Sequence, residues 1–479
     1  MLGKIKQFFG PQDMTIGKPM TNIAKFAIPL LIGNFAQQLY STVDSIVVGQ
    51  YCSVEVNGYD GVQALASIGV SMPILFLLMI VFMSIGTGAG ILVAQLFGAR
   101  DKAGLEKCIG TSVTLTFLAS ALLTVVGVPL AGPLLHLVKT PDAYYEIAKA
   151  YLQIIFIGII GGGFYNIISG ILRGLGDSFY PLMFLVTAAL LNIVLDLWFV
   201  IGFGWGVPGA AWATIIAQGV SAILCVLRLM RMKDVIVVNK RSLTLHKDTA
   251  KKILQLGLPA GATQGVFSLA MLFVQTLTNQ MGEFVPAISI AIMRVDGFAM
   301  MPNFTFGLAI STYIGQNLGA GRTDRIKPGE HAVLKLALGC SLVLVMALLI
   351  WGKNIIGLFI NPENTDPDVY EKVLYLGGMG IRILAGGYLA MAITQIYGGI
   401  LRAAGDTISP MIISVITTVG LRLPIAYGLA YFTISDEWPK GHPYSLFISL
   451  LAAWVFGALL TYLRYRQGKW KSIKLVGSN

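Results

Sequence analysis

Long apolar runs, separated by short turns rich in glycine, proline or charge, fill most of this chain. Most runs reach or exceed the roughly 20 residues that a helix needs to cross a bilayer. They lack the strict alternation of a membrane β-barrel, and lipid accepts only helices or closed barrels. The pattern predicts twelve membrane-spanning helices, near residues 22–49, 63–96, 106–137, 146–172, 179–202, 206–230, 252–280, 286–317, 331–360, 373–401, 408–433 and 444–465.

Composition supports this class. Of the 479 residues, 56% are hydrophobic and only 12% are charged, which is outside the range of soluble domains. The net charge of +11 does not indicate nucleic-acid binding, because no soluble basic module carries it. We therefore predict an all-α polytopic membrane protein that contacts membrane lipid and no nucleic acid.

The distribution of lysine and arginine predicts the orientation. With both termini in the cytoplasm, 26 of these residues lie in inner turns and tails and five in outer turns. This split satisfies the positive-inside rule. We expect a multi-pass protein of the plasma membrane with both termini cytoplasmic.

An internal repeat divides the chain into two similar halves. Gly170-Ile-Leu-Arg173-Gly-Leu-Gly176-Asp177 recurs 229 residues later as Gly399-Ile-Leu-Arg402-Ala-Ala-Gly405-Asp406. Each half holds an even number of spans, so the halves share one orientation. The prediction is two six-helix bundles, an N-lobe over 1–230 and a C-lobe over 252–466, with a cytoplasmic linker at 231–251 and a cytoplasmic tail at 467–479.

Polar residues inside the N-terminal half do not recur in the other half. Asn192 and Asp196 are four residues apart, so a helix places both on one face. Asp44 and Asp196 each lie six residues before an outer turn, about 9 Å below it. Thr214 reaches a similar depth, and Tyr40 lies one turn deeper than Asp44.

These five side chains predict a cation-coupling site, because a carboxylate within the membrane is costly unless it is paired or used. Carboxylate, amide and hydroxyl oxygens can hold Na⁺, and two neighbouring buried acids can share a proton. Both ions stay open at this point: H⁺ at the acids, or Na⁺ at Asp44, Asn192, Asp196 and Thr214. We expect no organic cofactor beyond the coupling ion.

Several motifs together resemble the multidrug and toxic compound extrusion (MATE) transporters over nearly the whole chain. They are Gln38-Leu-Tyr40-Ser-Thr-Val-Asp44, Gln95-Leu-Phe-Gly98-Ala-Arg100, Arg173-Gly-Leu-Gly176-Asp177, Leu191-Asn192-Ile-Val-Leu-Asp196 and Gly209-Ala-Ala-Trp-Ala-Thr214. The resemblance implies antiport of small organic cations against H⁺ or Na⁺, with Asp44, Asn192, Asp196 and Thr214 as the N-lobe cation site and Tyr40 beside it. It also implies the bacterial branch of the family, and we expect a monomer.

The remaining polar membrane residues are candidates for substrate binding or gating: Asp296, Gln38, Gln264, Gln275 and Arg294. Asp296 also has an alternative role, an ion pair between helices, with Arg382 and Arg422 as candidate partners. Arg294 and Asp296 are two residues apart and are expected to point in different directions on a helix.

Two other functions are weighed against transport of cations. A flippase for lipid-linked oligosaccharides would need a strongly cationic central cavity, whereas only Arg294, Arg382 and Arg422 are predicted within spans. An intramembrane enzyme such as a prenyltransferase would need clustered aspartates for Mg²⁺, and the usual motifs of metalloproteases and serine hydrolases are absent from the sequence. The sequence therefore favours a transporter that is not an enzyme.

Overall fold

The computed structural model describes residues 11–232, 244–282, 285–358, 367–473 and 475. This part of the chain is almost entirely helical and contains no strand. Its twelve long helices confirm the predicted fold class, and ten of them are long and apolar enough by composition alone to cross a membrane. In order they are α1 Pro19–Tyr51, α2 Gly61–Gly98, α3 Lys102–Leu137, α4 Asp142–Gly174, α5 Phe179–Gly202, α6 Gly206–Met230, α7 Lys247–Gln280, α8 Val285–Gly319, α9 Ile326–Gly357, α10 Pro367–Ala404, α11 Ile408–Phe432 and α12 Tyr444–Arg466.

Local sequence signals set the helix ends. The Asp60 carboxylate accepts a hydrogen bond from the Gln63 backbone N–H at 2.8 Å, and Gln63 Oε1 accepts one from the Asp60 N–H at 3.2 Å. This capping box starts α2, because it satisfies N–H groups that have no partner inside the helix. Asp101 starts α3 in a similar way, accepting from Gly104 N–H at 2.8 Å.

Two helices change their winding along their length. In α5 the segment Leu197–Gly202 is π-helical, and in α11 the segment Ile416–Arg422 is π-helical. A π-helical turn holds one extra residue and is frequent at functional sites. Asp196 directly precedes the first segment and Arg422 ends the second, so each break adjoins a buried charged residue.

The first helix of each half packs against the other half. Ile23 and Phe26 of α1 belong to one buried core with Ile310 and Tyr313 of α8. Reciprocally, Ile253 of α7 joins the core that α2 and α4 form in the first half. The internal repeat thus appears in three dimensions as two equivalent contacts between the lobes, one made by the start of α1 and one by the start of α7.

The lobes approach each other most closely at the ends of α2 and α8. The side-chain amide of Gln95 donates to the Ala403 carbonyl at 2.7 Å, and that of Gln316 donates to the Gly174 carbonyl at 3.0 Å. A Cβ atom on Gly98 would lie 1.9 Å from the Gln316 carbonyl oxygen, and one on Gly319 would lie 1.9 Å from that of Gln95. Backbone contact of this kind needs glycine, because no side chain fits.

A second repeated contact fixes the turn after the fourth helix of each half. Asp177 Oδ2 accepts from Arg228 Nε at 3.0 Å and Nη2 at 2.9 Å. In the other half Asp406 Oδ2 accepts from Arg464 Nε at 3.0 Å and Nη2 at 2.8 Å. Burial raises the pKa of the Asp177 carboxyl, and the guanidinium of Arg228 opposes that rise.

We expect Arg228→Gln to destabilise the protein, because it leaves the fully buried Asp177 carboxylate without its partner. Loss of one member of a buried ion pair costs about 3–5 kcal/mol of unfolding free energy. Without Arg228 the folded-state pKa of Asp177 rises further, so the folded protein takes up a proton more readily than the unfolded chain. The loss should therefore be greatest at high pH and shrink as the pH falls.

Thermal unfolding of the purified protein, followed by tryptophan fluorescence at several pH values, measures this effect. Arg322→Gln is the matched control, because its pair with Asp324 is exposed and exposed ion pairs contribute little to stability. The double variant Asp177→Asn/Arg228→Gln should recover part of the loss. Equal shifts for the two single arginine variants would contradict a structural role for the buried pair.

Candidate cation-coupling site

Asp44 of α1 and Asp196 of α5 come together inside the first lobe. Their carboxyl groups lie within hydrogen-bonding distance of each other. Asp196 is fully buried, and one oxygen of each carboxyl group is buried without any hydrogen-bond partner. Two carboxyl groups in this position can share a hydrogen bond only if at least one of them carries a proton.

Asn192 supports Asp196 from one helical turn away, as the spacing predicts. Asn192 is fully buried. With its amide oriented to suit its neighbours, its NH₂ group donates to Asp196 Oδ2 at 2.9 Å and its oxygen accepts from the backbone N–H of Thr214 at 3.2 Å. Asn192 therefore presents a donor, and not its oxygen, to the carboxyl pair.

The other two predicted members of the site are Thr214 and Tyr40. Thr214, on α6, is half-buried and reaches the site through its backbone N–H. Tyr40 lies on α1, but its side chain is outside the described part of the structure. The structure thus brings together three of the five predicted side chains, with Thr214 contributing its main chain.

The second lobe contains a cavity of about 310 Å³ in which Asp296 lies. The Tyr388 hydroxyl donates to Asp296, and no ion pair to Asp296 is present among the described residues. Arg422 lines the same cavity and is 5% exposed, yet its Nε and Nη1 atoms have no hydrogen-bond partner. Seven methionine and aromatic side chains form part of the remaining wall: Met271, Met293, Met300, Phe267, Phe304, Phe447 and Trp454.

The other substrate or gating candidates are scattered. Gln264 lines the space between the lobes, and Gln275 lines the Asp296 cavity while donating to Asn279 Oδ1 at 2.8 Å. Gln37, one position before the predicted Gln38, lines a further cavity of about 350 Å³ in the first lobe. Arg294 is exposed, on a different side of α8 from Asp296, and Arg382 is exposed as well.

Two arginines lie directly after predicted spans, which end at residues 172 and 401. In the structure Arg173 and Arg402 occupy the last turns of α4 and α10. Both line a cavity of about 280 Å³ between the lobes. These two helices extend two and three residues beyond the predicted spans, so the two arginines belong to helices and not to turns. The 229-residue repeat could have revealed them as a symmetric pair facing the lobe interface.

Comparisons with known proteins agree with one another. The MatE family model matches residues 29–198 and again residues 259–428. The chain is 30% identical to the probable multidrug resistance protein YpnP of Bacillus subtilis, covering 97% of this chain and 98% of that one. It is 28% identical to the probable multidrug resistance protein YoeA of the same organism, covering 95% of each chain.

A solved structure shares the fold. The transporter of the MOP superfamily from Pyrococcus furiosus superimposes with a TM-score of 0.85 at 22% identity, covering 97% of this chain and 99% of that one. The two family-model matches start 230 residues apart, which parallels the internal repeat.

Proposed function

Because this chain belongs to the MatE family, as its motifs suggested, we propose that it is a secondary active multidrug exporter that expels organic cations in exchange for protons. Two similar proteins of Bacillus subtilis are named probable multidrug resistance proteins, which supports the substrate class. The observation that carries the coupling mechanism is the buried contact between the carboxyl groups of Asp44 and Asp196.

The geometry favours H⁺ over Na⁺ as the coupling ion. A Na⁺ ion at this site would need several oxygen ligands, but Asn192 turns its NH₂ group toward Asp196 and its oxygen toward Thr214. A proton needs only the two acids. Coordination of Na⁺ by Asp44, Asn192, Asp196 and Thr214 would require the amide to rotate, and it is the alternative that the experiment below separates.

Orientation follows from charge. The ends of α2 and α8, where the lobes meet, adjoin the turns that carry Arg100 and Arg322. By the positive-inside rule this is the cytoplasmic face, so we place the protein in the plasma membrane with both termini inside. The contacts there then close the cytoplasmic side and correspond to an outward-facing state of a monomer that needs no organic cofactor.

The exchange cycle uses the charge of the N-lobe site. Protons that enter from outside neutralise Asp44 and Asp196, which removes negative charge from the N-lobe and favours the state that binds a cationic substrate poorly. Release of these protons inside restores the charge and favours loading. Substrate and proton therefore exclude each other without sharing atoms, because each ligand shifts the population of the state that binds the other poorly.

The Asp296 cavity of the C-lobe is the better candidate for the substrate itself. Aromatic faces and methionine sulfurs suit an apolar organic cation, and Asp296 supplies the negative charge. The cavity volume of about 310 Å³ is close to the lower limit of the range typical of ligand pockets, which begins at about 300 Å³.

Transport into inside-out vesicles tests the proposed function. The purified protein is reconstituted, and uptake of a fluorescent organic cation is compared under an imposed pH gradient and an imposed Na⁺ gradient. The proposal expects uptake driven by the pH gradient at equal Na⁺ on both sides. Uptake that needs a Na⁺ gradient would identify Na⁺, and not H⁺, as the coupling ion. If no cation were taken up under either gradient, export of cations would be refuted.

We expect Asp296→Asn to raise the KM for a cationic dye about tenfold, since a hydrogen bond or close contact to a charged group is worth about 1.5–3 kcal/mol. The dependence of uptake on the pH gradient should stay intact, because Asp44 and Asp196 are unchanged. Asp248→Asn, at an exposed position near the start of α7, is the control. An unchanged KM would exclude Asp296 from the substrate site.

A further inference from the structure

A pair of arginines related by the internal repeat faces one cavity between the two lobes. Arg173 and Arg402 occupy equivalent positions 229 residues apart, and both line the same space of about 280 Å³. Because the repeat relates the lobes by an approximate twofold rotation, the two arginines border this space from opposite lobes, and each also lines a cavity within its own lobe.

The two arginines lack acidic partners. Among the described residues, neither forms an ion pair with a carboxylate. Arg173 Nη1 donates to Ser169 Oγ at 2.6 Å, whereas its Nε atom is buried without a hydrogen bond. The nearest acids in sequence, Asp177 and Asp406, are already held by Arg228 and Arg464.

The rest of the wall combines polar and apolar groups and carries no negative charge. No aspartate or glutamate lines this cavity. Side chains with hydroxyl or amide groups line it from both lobes, including Thr87, Thr263, Ser311, Thr312, Gln264 and Gln395. A buried positive charge without a counter-charge is costly, and the C-terminal dipoles of α4 and α10 offset only part of the cost.

Two guanidinium groups, several hydroxyl and amide donors and no acid form a site for a compact oxyanion. We propose that this cavity binds a phosphoryl group carried by a small molecule or a lipid, at a site separate from both Asp44–Asp196 and Asp296. A phosphate monoester fits best, because its charge of about −1.5 to −2 near neutral pH balances the two arginines and its oxygens accept from several donors. This ligand differs in charge from the organic cations proposed above.

Matched probes test the site on the unmodified protein. Isothermal titration calorimetry in an uncharged detergent compares phenyl phosphate with phenol, and dioctanoyl phosphatidic acid with dioctanoylglycerol. Members of each pair differ only by the phosphoryl group. The proposal expects at least one phosphate-bearing member to bind at least about tenfold more tightly than its partner, the ratio given by one hydrogen bond to a charged group.

The two pairs identify the source of the group. Preference for phenyl phosphate alone assigns the site to soluble phosphate esters, and preference for phosphatidic acid alone assigns it to lipids. Equal affinity within both pairs overturns the proposal. Because this comparison needs no substitution, it does not depend on whether a variant folds.

Variants then connect the preference to the arginines. Arg173→Gln and Arg402→Gln should each reduce the preference for the phosphate-bearing probe over its phosphate-free partner about tenfold. Arg173→Lys should retain part of this preference, because the positive charge remains. Arg322→Gln, an exposed arginine paired with Asp324, is the control and should leave it unchanged. A preference that survives both glutamine substitutions would also overturn the proposal. Dye uptake by the vesicle assay is measured separately, so failure of this site and failure of cation export can be told apart.

Discussion

Asp196→Asn should strongly reduce uptake that is driven by a pH gradient, toward the level of protein-free vesicles. Asparagine keeps the size of the side chain and can still accept from Asn192, but it cannot bind and release a proton. The proton is then no longer linked to the conformational change, and the loss should reach about 5- to 150-fold, the range of typical coupling free energies. Asp44→Asn should have the same effect, because the two carboxyl groups share one hydrogen bond.

Three comparisons make this prediction specific. The double variant Asp44→Asn/Asp196→Asn should be no worse than either single variant, because groups that act as a unit are not additive. Asp324→Asn, at an exposed carboxylate, should transport normally. Dye binding to the purified protein should weaken at low pH in the wild type and become independent of pH in the variants. Full uptake by either single variant would remove the pair from the coupling mechanism.

The fold could be predicted almost completely from the sequence because lipid leaves so few choices for a long apolar run. Twelve helices, two halves and their parallel relation all follow from run lengths and from the Arg173 and Arg402 motifs. What the sequence did not predict is that the starts of α1 and α7 each pack against the core of the other lobe. These contacts depend on which apolar faces meet, and helices that are apolar on most sides give little information about this.

The candidate site was predictable in part for similar reasons. The spacing of Asn192 and Asp196 is local, so helical geometry alone places the two on one face, and depth counted from the turns brings Asp44 to the same level. The orientation of the Asn192 amide and the use of the Thr214 main chain are tertiary details that no spacing encodes. Arg173 and Arg402 were missed because a basic residue near a helix end is read by default as part of a cytoplasmic turn.

Closure of the cytoplasmic face is the second large effect. Gly98→Ala should prevent it, because the new Cβ would lie 1.9 Å from the Gln316 carbonyl oxygen and the backbone there cannot rotate away. Overpacking costs about 1–3 kcal/mol or more, which shifts the population about 5- to 150-fold away from the closed arrangement. Gly319→Ala should act equally, since its Cβ would lie 1.9 Å from the Gln95 carbonyl oxygen. Uptake should fall by a similar factor.

Access from the cytoplasmic side distinguishes this mechanism from misfolding. Ser311 lines the cavity between the lobes. In a variant from which the four native cysteines have been removed, a cysteine introduced at position 311 is the target of a membrane-impermeant thiol reagent. In inside-out vesicles Gly98→Ala should increase its labelling, because lobes that cannot close expose the cavity to the cytoplasmic face. Gly339→Ala, where a Cβ meets nothing within 4 Å, should change neither labelling nor uptake. Unchanged labelling in Gly98→Ala would show that this glycine contact does not control the closed state.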